Sequence, residues 1–565
     1  LPIARFPYPW SRTEKGETNG TSEETFDDEQ RCIKHGEPFS VAEETIMKKE
    51  NLTLAKVATI KIHPAIGVAR LGNSPTEYFV GPEKPGVHTP PRGGYRDSQG
   101  RIKRQAARFR LFGYDKKGKV VGEITAKDAN ITWTVSLANR KAEWIKFQGR
   151  KSVTNQSLRR NPAVTNRNSL IINPGPRSLN GPNQAASFDT GTFLGTPVLL
   201  GDMRTDEDGR LLVLGGFGKS GSPMNMSLVE FANNDGWYDD VSDGPVTASA
   251  KFKNNGKVVK AAGSWVICPA PKFAPPIDNV ITLYDTLLQV AVDKLGLKLP
   301  AKPSFTSDIY PLLQRAINMK WVSGMAAHPM AHADEQEPMH GEHHADVEGP
   351  AHSTLSSVIP PPGSASDRAA IFDKLRDPAV PGDQSSGESD MPMIHSDFYP
   401  ADSNQPLTRI QYDNMKKWKN GNFINDWTGT PVVSQAITPA GLDRSALESC
   451  VGGAFYPGIE AGWMLRDTYK YSEPFRLNPA NLKPGDVTKQ MALPWQADFT
   501  DCSQDGELAW WPAQRPDEVF PEAGGPQTAW TRGLVVSMAD MVQKWHRLGF
   551  IVKKGARYVE TERDP

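Results

Sequence analysis

Apolar positions follow two regimes along the chain. Between residues 56 and 278 they alternate or form short runs: VATIKIHPAIGVARLGNS, RFRLFGYD, ITWTVSLA and KVVKAAGSWVICPAPKF close on turn residues, so the pattern predicts strands. In PVLLGDMRTDEDGRLLVLGG, Asp208-Gly209 between two apolar runs predicts a hairpin. From Asn279 the spacing lengthens, and NVITLYDTLLQVAVDKLG and IYPLLQRAINMKWVSGM predict helices. Further helices are predicted in LTRIQYDNMKKWKNG, ending at Asn420-Gly421, and in RSALESCVGG, capped by Gly452-Gly453. RGLVVSMADMVQKWHRLGFIVKK reads as the last helix, with His546 at its surface or in its final turn. The expected fold class is α+β, a β-rich N-terminal body followed by a more helical C-terminal portion.

The same pattern divides the chain. Residues 1–55 are polar and Glu-rich and read as an arm, with one helix near Ser40 to Glu50. A β-rich domain over 56–278, a helical segment over 279–325, an insertion over 326–365 and a C-terminal portion over 366–565 follow. The insertion carries HPMAHADEQEPMHGEHHADVEGPAH, in which His, acids, Met and Pro crowd out apolar residues, so a flexible surface segment is expected. Its His spacings match no metal site of defined geometry, and no metal is expected.

At 565 residues the chain exceeds what one core usually organises, which predicts two or more domains. Lys+Arg 65 against Asp+Glu 65 leaves no net charge to drive binding to nucleic acid or an anionic membrane. No apolar run is long enough to cross a bilayer, so a soluble protein is expected, and the sequons at Asn19, Asn51, Asn130, Asn155 and Asn225 permit secretion. Cys32, Cys268, Cys450 and Cys502 lie far apart without CxxC pairing, which indicates neither a zinc site nor a disulfide framework.

The common catalytic signatures are missing: no G-x-S-x-G, Walker A loop or H-E-x-x-H occurs. The glycines of LVLGGFGKSG do not form a dinucleotide fingerprint, and DMRTDEDGR reads as a solvated turn rather than a calcium loop. Two stretches remain, ALESCVGGAFYPGIE around Cys450 and WQADFTDCSQDGELAWWPAQRPDEVF with Trp510-Trp511-Pro512. On residue type alone, such a Cys is a small buried hydrophobe and such a Trp pair is core packing.

Several blocks alter that reading. IHPAIGVARLGNSP (62–75), EYFVGPEKPG (77–86), RQAARFRLFGYD (104–115), DMRTDEDGRLLVLGG (202–216), NDGWYDDVSDGPV (234–246), ESCVGGAFYPGIE and AWWPAQRPDEV span about residues 60 to 550. Together they resemble the LodA-type L-amino-acid oxidases, the family of L-lysine ε-oxidase and glycine oxidase. The first 55 residues and the His-rich insertion fall outside the resemblance.

The resemblance implies a cysteine tryptophylquinone cofactor, in which Cys450 is joined through sulfur to a quinone made from Trp511 or Trp510. The residues alone do not separate the two tryptophans. A quinone carbonyl is an electrophile that no ordinary side chain supplies, and a primary amine can condense with it. A base then removes the proton from the amine-bearing carbon, water releases an aldehyde or 2-oxo acid, and O2 restores the quinone with release of ammonia and H2O2.

Candidates for the base are Asp443, Glu448, Asp498, Asp501, Tyr456 and, more remotely, His395. The family also implies an acidic residue beside the cross-linking Cys, for which Glu448 and Asp443 compete; either can equally be a helix-surface or cap residue. Gly452 and Gly453 would let the backbone pass close to the quinone as well as cap the helix. Arg515 would pair with the substrate carboxylate near Tyr456, or brace the Trp-bearing loop internally. Implied partners are a free amino acid such as lysine or glycine, O2, a flavoprotein that installs the Trp oxygens, and further copies in a homo-oligomer. The rival readings are an unmodified homologue acting as a binding or toxin-like protein, and a metal-dependent enzyme using the His-rich tract.

Overall fold

The computed structural model describes residues 54, 56–147, 158–324, 362–379, 391–392, 406–431, 436–452, 463–501 and 511–564. The predicted arm and its helix, nearly all of the His-rich insertion, and His395, Gly453, Tyr456, Cys502 and Trp510 lie outside those residues.

The β-rich body is one 13-stranded sheet. Its strands are β1 (Thr59–His63), β2 (Ile66–Val68), β3 (Tyr78–Val80), β4 (Arg104–Tyr114), β5 (Val120–Ile124), β6 (Ala129–Val135) and β7 (Arg177–Asn180). They continue as β8 (Ala185–Ser187), β9 (Asp202–Thr205), β10 (Leu211–Leu214), β11 (Ser242–Phe252), β12 (Val258–Ala262) and β13 (Ser264–Cys268). The order is β2-β13-β11-β12-β1-β4-β10-β9-β8, with β3 and β5 also on β4, and β6 between β11 and β7. The Asp208-Gly209 hairpin forms as predicted: β9 and β10 pair antiparallel from Asp202↔Leu214 to Thr205↔Leu211, and Gly209 turns the chain at φ 75°.

The sheet separates two cores, and strand alternation shows how. Along β13, Trp265 and Ile267 join the core shared with the helices, while Val266 and Cys268 join the core on the other face. On neighbouring β2, Ile66 and Val68 take the helical side; between them a Cβ on Gly67 would overlap the Phe109 ring. β13 is buried at every position, because both faces are covered.

The helices carry the signals that the sequence displays. α1 (Leu283–Leu295) starts with a reciprocal cap, in which Thr282 Oγ1 accepts from Asp285 N and Asp285 Oδ2 from Thr282 N, and ends at Gly296 with φ 75°. α2 (Tyr310–Asn318), α3 (Arg409–Lys419) and α4 (Pro439–Glu448) follow, α3 ending at Asn420 before Gly421 as predicted. α5 (Trp495–Asp501) and α6 (Met538–Lys544) lie further toward the C-terminal end.

Two expectations need correction. The last helix covers only Met538–Lys544 and one 3-10 turn, Trp545–Arg547, which holds His546. FIVKK instead forms β14 (Phe550–Lys554), paired with β15 (Arg557–Thr561), since a β-branched run after Gly549 favours a strand. Gly452 does not cap α4, which ends at Glu448 with Ser449 as its cap, for a reason that lies in the site.

Candidate active site

Cys450 lies in the bend just past α4 and is pinned on both sides. Leu283 N donates to the Cys450 carbonyl at 3.0 Å, and Gly452 N donates to the Ile281 carbonyl at 2.9 Å. Thr282 and Val451 thereby form an antiparallel bridge, so the entry to α1 holds the exit of α4. Any Cβ at Gly452 would overlap the Thr282 carbonyl. The close approach that the sequence suggested at this glycine is therefore made to Thr282, and it excludes every other residue type.

The α4 side chains divide the acidic candidates. Glu448 is buried between two guanidinium groups, Arg315 at 3.0 Å and Arg444 at 2.6 Å, and Arg315 also reaches Asp285 at 2.9 Å. One arginine thus ties α1, α2 and α4 together. Asp443 faces the sheet, where it accepts from Ala65 N at 2.6 Å and bonds His63 Nδ1 at 2.9 Å. His63 Nε2 meets the Tyr114 hydroxyl at 2.9 Å. Burial, reinforced by Asp443, pushes the Tyr114 phenol up to about 12.

Trp511 is fully buried, with the Phe499 ring edge-on to it at 5.2 Å. Phe499 belongs to α5 and meets Trp495 in a second edge-to-face contact at 4.9 Å, and Trp495 meets Trp545 at 5.4 Å. The Trp511 carbonyl accepts from Gln514 N at 2.9 Å, closing a tight turn. Arg515, just beyond, donates Nε to the Phe499 carbonyl and Nη1 to the Pro516 carbonyl at 3.0 Å, and lies 3.5 Å from Asp517. At 3% exposure its guanidinium packs toward Trp530, the arrangement of an internal brace. Asp498 is 3% exposed on α5 beside Phe499.

A residue not singled out in the sequence joins the two motifs. Arg70 follows β2 and is 3% exposed. Its Nη2 donates to the Ser449 carbonyl at 3.0 Å and toward Cys450 Sγ at 3.6 Å, and its Nη1 donates to Gln514 Oε1 and the Ala270 carbonyl, both at 3.1 Å. Gln514 Nε2 returns to the carbonyls of Ala270 and Pro271, and Phe273 N donates to the Gln514 carbonyl. The Cys450 exit and the Trp511 turn are thus bridged by one guanidinium. The signal was present in the sequence: an arginine within the apolar run AIGVARLG is buried with partners or not at all.

The residues of this bridge fall within two regions of the chain that match known family descriptions. The family described as L-lysine epsilon oxidase N-terminal matches residues 63–268, and the L-lysine epsilon oxidase C-terminal domain matches residues 389–530. The chain belongs to the L-lysine epsilon oxidase (LodA) family. Arg70 stands in the first LodA region, Cys450 and Trp511 in the second. The L-lysine 6-oxidase of Marinomonas mediterranea is 29% identical over 546 residues, covering 79% of this chain and 71% of that protein. A structure of the epsilon-lysine oxidase from Marinomonas mediterranea aligns with TM-score 0.71 and 25% identity over 89% of this chain and 95% of that one. A crystal structure of the Schiff base intermediate of the same organism's L-Lys epsilon-oxidase with L-Lys shares the fold, with TM-score 0.71 and 24% identity over 90% and 95% of the two chains.

Beside Ser449 a cleft of about 330 Å³ opens, walled by Phe79, Val87 and Tyr95. Lys272 and His88 line its polar end, and both bond Asp278, at 3.0 and 2.9 Å. Burial alone would raise the Asp278 carboxyl, but His88 and Lys272 outweigh it and hold the group well below the usual carboxylate range. Among the described residues no helix is long and apolar enough to cross a membrane, and no cluster of three or more His, Cys, Asp or Glu could hold a metal ion.

Proposed function

We propose that this LodA-family chain is a quinone-dependent oxidase of free amino acids, with its redox group built from Cys450 and Trp511. The observation that carries the reading is the Arg70 bridge, which ties the Cys450 sulfur to the turn that Trp511 opens. The residues fit such a group. The sulfur is buried and in no disulfide, at the end of a braced helix, and the indole is buried against Phe499.

The group, once formed, would supply an electrophilic carbonyl for a primary amine and would accept two electrons that O2 later removes as H2O2. The chain's own residues do the rest. Arg70, Gln514 and Thr282 fix the two reacting segments, and Arg515 braces the Trp511 loop rather than binding substrate. Glu448 is held by Arg315 and Arg444, and Asp443 by Ala65 and His63. For the proton-accepting role at the amine-bearing carbon we put forward Asp498, buried beside Phe499, ahead of Asp501, Tyr456 and His395. The cleft beside Ser449 is where the substrate is placed, and lysine, named for the Marinomonas mediterranea relative, is the first substrate to test.

Peptide mass spectrometry on protein matured in its native source tests the reading. The expected product is the Cys450 peptide joined to the Trp510-Trp511 peptide, with two oxygens gained and hydrogens lost. Fragmentation then assigns the tryptophan, and H2O2 release across a panel of amino acids assigns the substrate. An unmodified thiol and two plain indoles in mature protein would overturn the oxidase reading in favour of a binding homologue.

A further inference from the structure

The glycine-rich run at residues 215–221, directly after β10, holds no catalytic candidate, yet it grips the helix that faces Trp511. Arg104, fully buried, shapes the run: its guanidinium lies over the Phe217 ring, 4.4 Å from the centroid, and Nη1 donates to the Gly215 carbonyl at 3.2 Å. Asp240 Oδ2 accepts from Lys219 N at 3.0 Å, and Ser220 pairs antiparallel with Asp239. A Cβ on Gly216 would overlap the Asp240 carboxyl. One on Gly218, at φ 70°, would overlap the Trp545 ring.

Gln496, the second residue of α5, is fully buried, and its amide closes on that run. Nε2 donates to the Gly218 carbonyl at 2.9 Å, and Oε1 accepts from Ser220 Oγ at 2.6 Å. One donor and one acceptor on facing partners give the amide a single orientation. A second tie holds the same turn: Trp495 N donates at 3.0 Å to Asp239 Oδ2, which also takes Lys141 Nζ at 2.6 Å. Lys141 reaches on to the Ala492 carbonyl at 2.7 Å, just before the helix. At seven residues α5 has about two turns, so displacing its first turn carries Phe499 with it. Phe499 is the ring set edge-on to Trp511, and its carbonyl is held from the Trp511 side by Arg515.

We propose that Gln496 is a positioning residue for the redox centre: by locking α5 to Gly218 and Ser220, it sets how Phe499 meets the Trp511 indole. Packing of apolar rings tolerates small slides, whereas directional bonds to a held backbone do not. The weight of that placement in turnover rests on the oxidase reading; the placement itself is measurable in unmatured chain.

The full chain, expressed without any maturing flavoprotein, is labelled with fluorotryptophan, and Trp511→Phe assigns the Trp511 signal among the 14 tryptophans by fluorine NMR. Gln496→Met, which matches glutamine in length but makes neither bond, should move that signal. Gln496→Glu can both donate and accept while its carboxyl is protonated, so in that form it should keep the wild-type signal. In matured enzyme Gln496→Met should lower kcat per cross-linked chain by about 10- to 100-fold, as small misplacements do, with KM changed less than about twofold. An unmoved Trp511 signal in folded Gln496→Met overturns the proposal, as does a moved signal with wild-type kcat, or a protonated Gln496→Glu that behaves like Gln496→Met. Should Gln496→Met fail to fold, Ser220→Ala, which removes one of the two bonds, is read by the same signal and the same kcat. A moved signal together with no H2O2 release by matured wild-type protein would sink the oxidase reading and leave the placement of Trp511 by Gln496 standing.

Discussion

Gly452 runs against Thr282 so closely that any Cβ on it would overlap the Thr282 carbonyl, while its own N–H reaches Ile281 at 2.9 Å. Cys450 is held in register by the same bridge, so Gly452→Ala should displace the sulfur as well as strain the chain. We expect a loss of about 1–3 kcal/mol in denaturant unfolding. A lower yield of cross-linked peptide should accompany it. Unchanged stability and yield would mean that the bridge relaxes without moving Cys450.

Glu448 and Arg315 test the structural reading of an acidic residue beside the cysteine. Removing one member of a buried pair strands the other, at a cost of roughly 3–5 kcal/mol. Glu448→Ala should therefore lower the unfolding midpoint strongly in chain that has never been matured. A variant of wild-type stability that fails only in cofactor formation or turnover would show that Glu448 acts chemically instead.

Asp443 accepts from both Ala65 N and His63, so Asp443→Asn should lose about 1–3 kcal/mol, as expected for charged hydrogen bonds with buried donors. The double variant with His63→Phe should cost less than the two single changes combined, because they break one network. Strict additivity in a double-mutant cycle would refute the network.

Asp240 supplies a pH prediction. Burial, with Asp239 beside it, pushes its carboxyl up to about 7, and Asp243 likewise up to about 6. The folded state therefore binds more protons than the unfolded chain between about pH 4 and pH 7. The stability these groups contribute is complete below the unfolded value and falls as pH rises through the folded one. Asp240→Asn should flatten the decline measured by unfolding midpoints between pH 5 and pH 8. An unchanged slope would show that Asp240 is ionised in the folded protein throughout that range.

Asp498→Asn addresses the proposed base. In matured enzyme it should lower kcat by about 100-fold or more while the cross-link still forms, since general base catalysis contributes on that order. Wild-type turnover would move the role elsewhere.

The sequence by itself determined the elements and the two motifs. Asp208-Gly209, Gly296 and Asn420-Gly421 act through local backbone geometry, and alternation in SWVIC places side chains on opposite faces whatever the sheet packs against. The family resemblance singled out Cys450 and the Trp510-Trp511 pair for the same reason, since their surrounding blocks are contiguous in the chain. Tertiary structure decided the relations between distant segments. The Arg70 guanidinium reaches residues 200, 379, 380 and 444 positions away, and no local rule encodes those partners. Glu448 as an anchor and Thr282 as the contact of Gly452 were likewise invisible, and Arg515 was left open between substrate partner and internal brace, because each role depends on which surface folds against it. FIVKK shows the same limit at the level of an element. Its apolar residues suit a helix or a strand, and pairing with residues 557–561 is what made it a strand.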